Sequence, residues 1–376
     1  MMMDLKKMQI LLTAFQYSTP SVDVQEEQVP VCQTEPTIPP SIYWGRMGAT
    51  KSAIMSFMIL LGLLVSKVAA HKYTLVDDYT PETLFSNFTF FTGPDPTEGF
   101  VKYVGEAEAR DAGLIGTLTG YDGESVAYMG VDYTHPAPKG RHSVRIESNK
   151  TYNQGLFIAD FMHVPGTACG SWPAFWMFGP NWPHGGEIDI YEGVHLDYVN
   201  SITLHTGPNC TVKPQFNTYS GTMMTKNCDV AAPEQTPNKG CQIASRNLMS
   251  FGTALNVAGG GVFATEWTDK AISIWFFPRI FGIPWDIQQG VPEPARWGFP
   301  EAVFTGDGCQ FDKSFSDLKF VFDTTFCGQW AGNVWDLSPC SVFTPTCEEY
   351  VEKYPETYRE SYWEVKSIKV YQMEDC

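Results

Sequence analysis

The sequence predicts an all-β fold, built as a sandwich of two antiparallel sheets. Short runs of alternating apolar and polar residues recur between turn residues such as Gly, Pro and Asn, which is the pattern of strands with one buried face. Aromatic residues, which favour strands, make up 14% of the 376 residues, and long helical periodicity is missing. Hydrophobic residues account for 43% of the chain, which is enough for a large core.

Individual elements follow from this alternation. The segments with the clearest strand pattern are 142–147, 155–161, 201–206, 271–277 and 362–371. Two short helices are predicted, at 81–85 and 346–353.

The start of the chain has the features of a secretory signal. Residues 54–65 form an apolar run that follows Arg46 and Lys51 and precedes small residues at 68–70. A run of this length is short for a membrane span. We therefore predict a signal peptide over 51–70, cleaved after Ala70, and a single catalytic domain over 71–376.

A signal peptide should lie at the N-terminus, but residues 1–50 precede this one. We expect this segment to be a spurious or disordered extension, produced by a start codon assigned upstream of Met47. The alternative is a signal anchor with residues 1–50 as a cytoplasmic tail. With cleavage, no stable membrane association is expected, and the protein should be secreted, extracellular or in the cell wall.

Cysteine usage and glycosylation motifs agree with export. Nine of the ten cysteines follow residue 70, so several disulfides are expected, with at least one thiol left over. A zinc site is the competing interpretation, but no CxxC pair exists and we expect no metal. Acceptor sequons begin at Asn87, Asn149 and Asn209.

The charge balance narrows the possible partners. The formal net charge is −17, which argues against binding to nucleic acid or to an anionic membrane surface. A monomer acting on a neutral polymer is expected, although acidity also serves solubility alone. The high aromatic content fits either a β-rich core or a cleft in which flat rings stack on sugars.

One strand, 187–192, concentrates carboxylates. Glu187 and Asp189 share one face of this strand, and Ile188 and Ile190 share the other. Glu192 has the wrong parity for the same face, but a β-bulge adds one residue and restores it. We therefore predict a bulge near 190–191 and a row of three carboxylates.

Such a row separates the pKa values of its members, because crowded carboxylates cannot all ionise easily. A retaining glycosidase needs this separation: one ionised carboxylate attacks the sugar and one protonated carboxylic acid protonates the leaving oxygen, at a separation of about 5–5.5 Å. A solvated acidic strand face or a calcium site is the alternative. Calcium sites draw their oxygen ligands mostly from loops, so the strand is a poorer match.

The sequence around this strand resembles glycoside hydrolase family 16, and most closely its fungal laminarinase-like endo-1,3(4)-β-glucanases. The resemblance is carried by segments 171–194, 201–206, 274–279 and 322–332. It implies a two-sheet antiparallel β-jelly-roll sandwich with a substrate cleft on the concave sheet. No cofactor is expected.

The resemblance also implies roles for individual residues. Glu187 matches the nucleophile, Glu192 the acid/base, and Asp189 the residue between them that assists the nucleophile. His205 matches a histidine beside the site, on the neighbouring strand. All three carboxylates are intact.

Aromatic residues are candidates for sugar contacts. Trp172, Trp182 and Trp330 are expected to line the cleft, Trp182 because Gly and Pro mark its loop as exposed and Trp330 by family position. Trp176 is expected to pack in the core. The segments 210–241 and 284–300 are expected to form cleft walls.

The function that follows is endo-acting, retaining hydrolysis of β-1,3 or mixed β-1,3/1,4 glucan by a double displacement. The alternatives are a cell-wall glucan transglycosylase of the same fold, in which a sugar replaces water, and a non-catalytic glucan-binding protein. The last of these would be expected to lose the acids that this chain keeps.

Overall fold

Two eight-stranded antiparallel sheets form the body of the computed structural model, which describes residues 73–215 and 217–374. These residues belong to one compact unit, Ala70–Asp375. The predicted extension 1–50 and signal peptide 51–70 lie outside the described residues. No helix within the described ranges has the length and hydropathy that a membrane crossing requires.

The strands, in chain order, are β1 (Tyr73–Tyr79), β2 (Phe88–Phe90), β3 (Val101–Tyr103), β4 (Ile115–Thr119), β5 (Ser125–Gly130), β6 (Arg141–Ser143), β7 (Arg145–Ser148), β8 (Gly155–His163), β9 (Ser171–Phe178), β10 (Glu187–Glu192), β11 (Ser201–His205), β12 (Thr222–Met223), β13 (Cys241–Ala244), β14 (Gly261–Trp267), β15 (Ala271–Pro278), β16 (Ala302–Thr305), β17 (Lys319–Phe326) and β18 (Tyr362–Met373). The α-helices are α1 (Glu106–Asp111), α2 (Gly252–Val257), α3 (Trp285–Gln288), α4 (Phe311–Ser314) and α5 (Cys347–Lys353). A π-helical turn spans Gly328–Gly332. Single 3-10 turns occur at Phe85–Asn87, Arg279–Phe281, Pro294–Arg296, Trp335–Leu337, Pro339–Val342 and Pro355–Tyr358.

The sheet that contains β10 is called the carboxylate sheet here, and its strand order is β12-β13-β11-β10-β9-β17-β7-β2. The other is called the back sheet, with the order β16-β15-β14-β8-β18-β5-β4 and β1 paired to β18. Strands β3 and β6 form a separate parallel pair. The predicted all-β sandwich is confirmed.

The core lies between the two sheets and is formed by one face of each. On the carboxylate sheet, Ile188 and Tyr191 are fully buried, and the Tyr191 ring packs edge-on against Phe263 and Trp363 of the back sheet. Alternation then leaves the opposite face of the carboxylate sheet free to hold polar and aromatic side chains.

All five predicted strand segments occur as strands, with one division. The segment 142–147 is split at Val144, so that β6 pairs with β3 and β7 joins the carboxylate sheet. The helix predicted at 346–353 is confirmed as α5, with the Thr346 hydroxyl accepting a hydrogen bond from the Glu349 N–H.

The helix predicted at 81–85 is wrong. The segment forms a turn followed by the 3-10 turn Phe85–Asn87, closed by a 3.1 Å bond from Asn87 N to the Leu84 carbonyl. Because β2 begins at Phe88, the chain has no room for a second helical turn.

The segment 284–300 does not form a cleft wall, contrary to the sequence expectation. Trp297 packs edge-on against Trp275 and Phe277 of β15, at 5.4 and 5.6 Å between ring centroids. These two residues alternate with Phe276, which faces the core. The segment therefore covers the outer face of the back sheet.

Four disulfides pair eight cysteines of the described residues: Cys169–Cys340, Cys210–Cys309, Cys228–Cys241 and Cys327–Cys347. The expectation of several disulfides is confirmed. The ninth cysteine after residue 70, Cys376, lies outside the described residues.

Candidate active site

A β-bulge in β10 sets the geometry of the site. Asp189 pairs with Trp176 of β9, but Tyr191 pairs with Phe175, so Ile190 is an extra residue without a partner on β9. The pairing then continues from Glu192 to Ala174. The bulge is thus confirmed where the parity argument placed it, and it returns Glu192 to the face that carries Asp189.

The register across the sheet shows what else lies on this face. Ala174 is paired with Glu192 on one side and with Asp323 of β17 on the other. Because directly paired residues point to the same face, Asp323 joins the carboxylates of β10. Ala174, a small residue, lies between them in the pairing.

Glu187, at the start of β10, is held by two neighbours. The Trp182 indole N–H donates a 2.7 Å hydrogen bond to Glu187 Oε2. His205, paired with Glu187 across β11, places its Nε2 atom 3.7 Å from Glu187 Oε1. Trp182 itself is 44% exposed, in agreement with the loop position predicted for it.

Asp189 is the most enclosed of the three acids, with 5% of its side chain exposed. His205 Nε2 lies 3.3 Å from Asp189 Oδ2. The contact is not aligned as a hydrogen bond, and among the described residues Asp189 Oδ2 has no hydrogen-bond partner. A carboxyl group in this position is stabilised in its protonated form.

Glu192 has an aromatic environment of its own. The Trp172 indole N–H donates a 2.8 Å hydrogen bond to Glu192 Oε1. The ring of Trp330, in the π-helical turn, packs edge-on against Trp172 at 5.7 Å between centroids. The structure therefore brings Trp172 and Trp330 together beside one glutamate and places Trp182 beside the other.

The three acids have strongly raised pKa values. Burial, followed by the neighbouring Asp189 charge, raises the pKa of Glu187 and that of Glu192 to about 8. Burial, followed by Asp323, raises the pKa of Asp189 well above its usual range. Perturbed carboxylates clustered on one open face are typical of catalytic sites.

Asp323 is a member of the site that the sequence analysis did not single out. The Trp176 indole N–H donates a 2.9 Å hydrogen bond to Asp323 Oδ1, and the Tyr103 hydroxyl donates one of 2.9 Å to Oδ2. Burial raises the pKa of Asp323 to about 6, although Arg145, paired with it on β7, acts to lower that pKa.

Trp176 therefore faces the site, and its expected position in the core is wrong. Its register partner Asp189 lies on the carboxylate face, and the ring is half-buried under the Arg145 guanidinium at 5.1 Å. The alternation of β9, with buried Phe175 and Met177 on the other face, could have located it.

The same side chains also meet a simple geometric criterion for a metal site. Glu187, Asp189 and His205 each offer one ligand atom, and these atoms lie within 4.8 Å of one another. A cation needs ionised carboxylates, whereas burial raises the pKa of Asp189 and so disfavours its ionised form. The electrostatics of the cluster therefore favour proton chemistry.

Comparison with known proteins gives consistent matches. Residues 88–371 match the family described as the XgeA-like, catalytic GH16 domain. An endo-1,3(4)-β-glucanase of Arthroderma benhamiae is 44% identical over 318 residues, which cover 84% of this chain and 68% of that protein. The endo-1,3(4)-β-glucanase xgeA of Emericella nidulans is 43% identical over 314 residues, covering 81% of this chain and 48% of that protein.

Two solved structures show the same fold. An elongating family 16 β-1,3-glucosyltransferase has a TM-score of 0.74 at 39% identity, covering 80% of this chain and 100% of that one. Laminarinase 16A from Phanerochaete chrysosporium, with β-glucans in its donor and acceptor sites, has a TM-score of 0.71 at 37% identity with the same coverage. The family match, the identities and the shared sandwich agree, and the chain belongs to glycoside hydrolase family 16, among its XgeA-like catalytic domains.

Proposed function

We propose that the chain is an endo-acting, retaining glycosidase that hydrolyses β-1,3 or mixed β-1,3/1,4 glucan. The relatives named above as endo-1,3(4)-β-glucanases and the solved laminarinase support this substrate class. The chain spans 68% of the first relative and 48% of the second. The observation that carries the proposal is the bulge, which aligns Glu187, Asp189 and Glu192 on one face.

In the first step the Glu187 carboxylate attacks the anomeric carbon, and the glycosidic C–O bond breaks. The Glu192 carboxyl gives its proton to the departing oxygen and becomes a carboxylate. In the second step that carboxylate takes a proton from water, the water oxygen attacks the anomeric carbon, and the ester bond to Glu187 breaks. Two inversions leave the product with the configuration of the substrate.

The neighbours of each glutamate support this division of roles. His205 lies 3.7 Å from Glu187 and acts to lower its pKa, as does the hydrogen bond from Trp182. Both favour the ionised form of Glu187. His205 and the Trp172 hydrogen bond act in the same direction on the pKa of Glu192, but the Asp323 charge acts to raise that pKa and so favours the protonated acid.

Glucosyl transfer is the second candidate function. The specific observation in its favour is the match to the elongating β-1,3-glucosyltransferase. That protein is 39% identical to this chain, and the match covers 100% of that protein and 80% of this chain. In transfer, the hydroxyl of a second glucan chain replaces water in the second step. The first step and its residues are the same, so the two activities differ only in the acceptor.

We also propose that the protein is secreted as a monomer, with no stable membrane association after removal of the signal peptide 51–70. The four disulfides support an oxidising compartment. Asn149 and Asn209 of the sequons are exposed, as an attached glycan requires.

Product analysis tests the proposal. The secreted protein is incubated with laminarin, lichenan and a pure β-1,4 glucan, and product sizes are followed over time. We expect internal cleavage of the first two, with oligosaccharides longer than the substrate if transfer competes. E187Q and E192Q should fold but lose laminarin hydrolysis by about 100-fold or more. Turnover like that of the unmodified protein in either variant would exclude the assigned pair.

A further inference from the structure

The second half of β10 lacks a strand on one side. Strand β11 pairs with β10 at only three positions, Glu187 to Asp189. Beyond them, at the bulge, the side chain of Asn200 takes the place of the strand. Its Oδ1 accepts a 2.8 Å hydrogen bond from Glu192 N, and its Nδ2 donates one of 2.8 Å to the Ile190 carbonyl.

These two backbone groups need a partner. Ile190 is 1% exposed, and the bulge removes it from the pairing with β9. A buried N–H or C=O that is left without a hydrogen-bond partner destabilises the folded chain. A side-chain amide carries one acceptor and a donor group, so Asn200 satisfies both sides of the bulge at once.

Asn200 is itself fixed and cannot follow a shifting strand. It is 0% exposed, its N–H donates a 2.9 Å bond to the Ser250 hydroxyl, and its carbonyl accepts a 2.9 Å bond from Ser245 N. The backbone hydrogen bonds of Asn200 therefore fix its side-chain amide, and this amide in turn fixes the backbone of β10.

We infer that Asn200 is a positioning residue that locks the bulge and thereby aims Glu192 at the glycosidic oxygen. The inference rests on the role proposed above for Glu192. Asn200 bonds to the Glu192 backbone and touches neither substrate nor reacting atoms. Without it, the bulge that turns Glu192 onto the carboxylate face loses its lateral support, while Glu187, paired with His205, keeps its own.

A matched control exists in the same chain. Asn256 of α2 brackets a backbone segment in the same way: its Oδ1 accepts from Val164 N and its Nδ2 donates to the Val164 carbonyl, both at 2.9 Å. Val164 follows β8 of the back sheet. N200A and N256A therefore remove the same two bonds, but only the first removes them from the strand of Glu192.

Two substrates separate positioning from stability. Laminarin has a sugar leaving group that needs the proton of Glu192, whereas 2,4-dinitrophenyl β-laminaribioside has a leaving group that needs none. For N200A we expect kcat/KM on laminarin to fall about 10- to 100-fold, and on the aryl glycoside by less than about threefold. N256A should change neither by more than about threefold, although both variants should lose melting temperature.

N200D provides a second variant if N200A does not fold. It keeps the acceptor for Glu192 N and loses the donor to Ile190, so the same selective loss is expected at smaller magnitude. Equal losses on both substrates, or losses no larger than in N256A, overturn the inference while the glucanase assignment stands. An unmodified protein that cleaves neither substrate overturns the assignment and the inference together.

Discussion

Glu187 and Glu192 have the same side chain, but the charges around them differ. Glu187 lies next to His205, and Glu192 is separated from the acidic Asp323 by a single alanine. Both glutamates are buried enough for such charges to act strongly. The pKa of each is raised to about 8, so a difference in protonation state between the two depends on residues outside the pair.

Two substitutions should move the pKa of Glu192 in opposite directions. The Asp323 charge acts to raise that pKa and the Trp172 hydrogen bond acts to lower it. D323N should therefore lower it and W172F should raise it. Because the alkaline limb of kcat/KM reports the group that must be protonated, the limb should shift to lower pH in D323N and to higher pH in W172F.

The measurement is the pH profile of kcat/KM on laminarin, with E124Q as a control because Glu124 is exposed and lies between β4 and β5 of the back sheet. Shifts of the same sign in D323N and W172F would contradict the electrostatic account of Glu192. An alkaline limb that stays in place in both would contradict the identification of Glu192 as the acid.

For individual site residues, the sequence predicted positions best where the residues lie close together in the chain. Parity within one strand predicted the shared face of Glu187, Asp189 and Glu192, and the bulge. Asp323 was missed because it reaches the site by pairing β17 with β9, a long-range contact. Its signal was present: Asp323 directly follows the apolar residues Phe320 to Phe322, on the strand face opposite to the two phenylalanines.

Among the elements, the π-helical turn that carries Trp330 depends on covalent attachment. Cys327 immediately precedes it and is bonded to Cys347, the first residue of α5. The disulfide Cys169–Cys340 joins the same region to the start of β9. Backbone hydrogen bonds from Cys327 and Gln329 also hold this part of the chain, and we expect the disulfides to help position the Trp330 ring beside Trp172.

Removal of Cys327–Cys347 should therefore affect substrate binding as well as stability. We expect C327A/C347A to lose about 2–5 kcal/mol of unfolding free energy, and its KM for laminarin to rise severalfold because Trp330 is less well placed. W330A is the comparison, since it removes the ring and leaves the disulfide. Its KM should rise at least as much without a comparable loss of unfolding free energy; an unchanged KM in C327A/C347A would contradict the positioning role.

Sequence patterns predicted elements well where one local period dominated. Alternation located β8, β11, β15 and β18, and the short helix predicted at 346–353 occurs as α5. The segments 81–85 and 284–300 were misjudged for a different reason. Their conformation is determined by what they pack against: the start of β2 in one case and the outer face of β15 in the other.

For the whole molecule, one buried acid outside the site should make stability depend on pH. Glu301 is 6% exposed, and among the described residues its Oε2 has no hydrogen-bond partner. Burial raises its pKa to about 7, despite hydrogen bonds from Ser245 and Asn247 that act to lower it. The folded protein therefore holds a proton that the unfolded chain releases near pH 4.3.

This stabilisation is complete below about pH 4.3 and is lost as the pH rises to about 7, a loss on the order of 3 kcal/mol. E301Q cannot ionise, so it should match the unmodified protein at pH 4 and exceed its melting temperature at pH 8. Thermal unfolding at both pH values measures this, with E98Q as the control because Glu98 is exposed. A lower melting temperature for E301Q at pH 8 would contradict the prediction.

The sandwich as a class was predictable because the alternation that makes strands also requires two faces and a buried layer. The order of strands was not, since β9 and β17, or β8 and β18, meet across long stretches of chain. The site depends on both the local alternation and the strand order. Strand β10 supplies three acids, and its neighbours in the sheet supply His205, Trp176 and Asp323.

The central claim is that Glu187 is the nucleophile, and covalent trapping tests it most directly. A 2-deoxy-2-fluoro laminaribiosyl fluoride slows the second step, so that the glycosyl-enzyme accumulates and can be digested and mapped by mass spectrometry. We predict one added disaccharide on Glu187, with no label on the same peptide from E187Q. A label on Glu192 or Asp189, or complete turnover without any labelled peptide, would contradict the account.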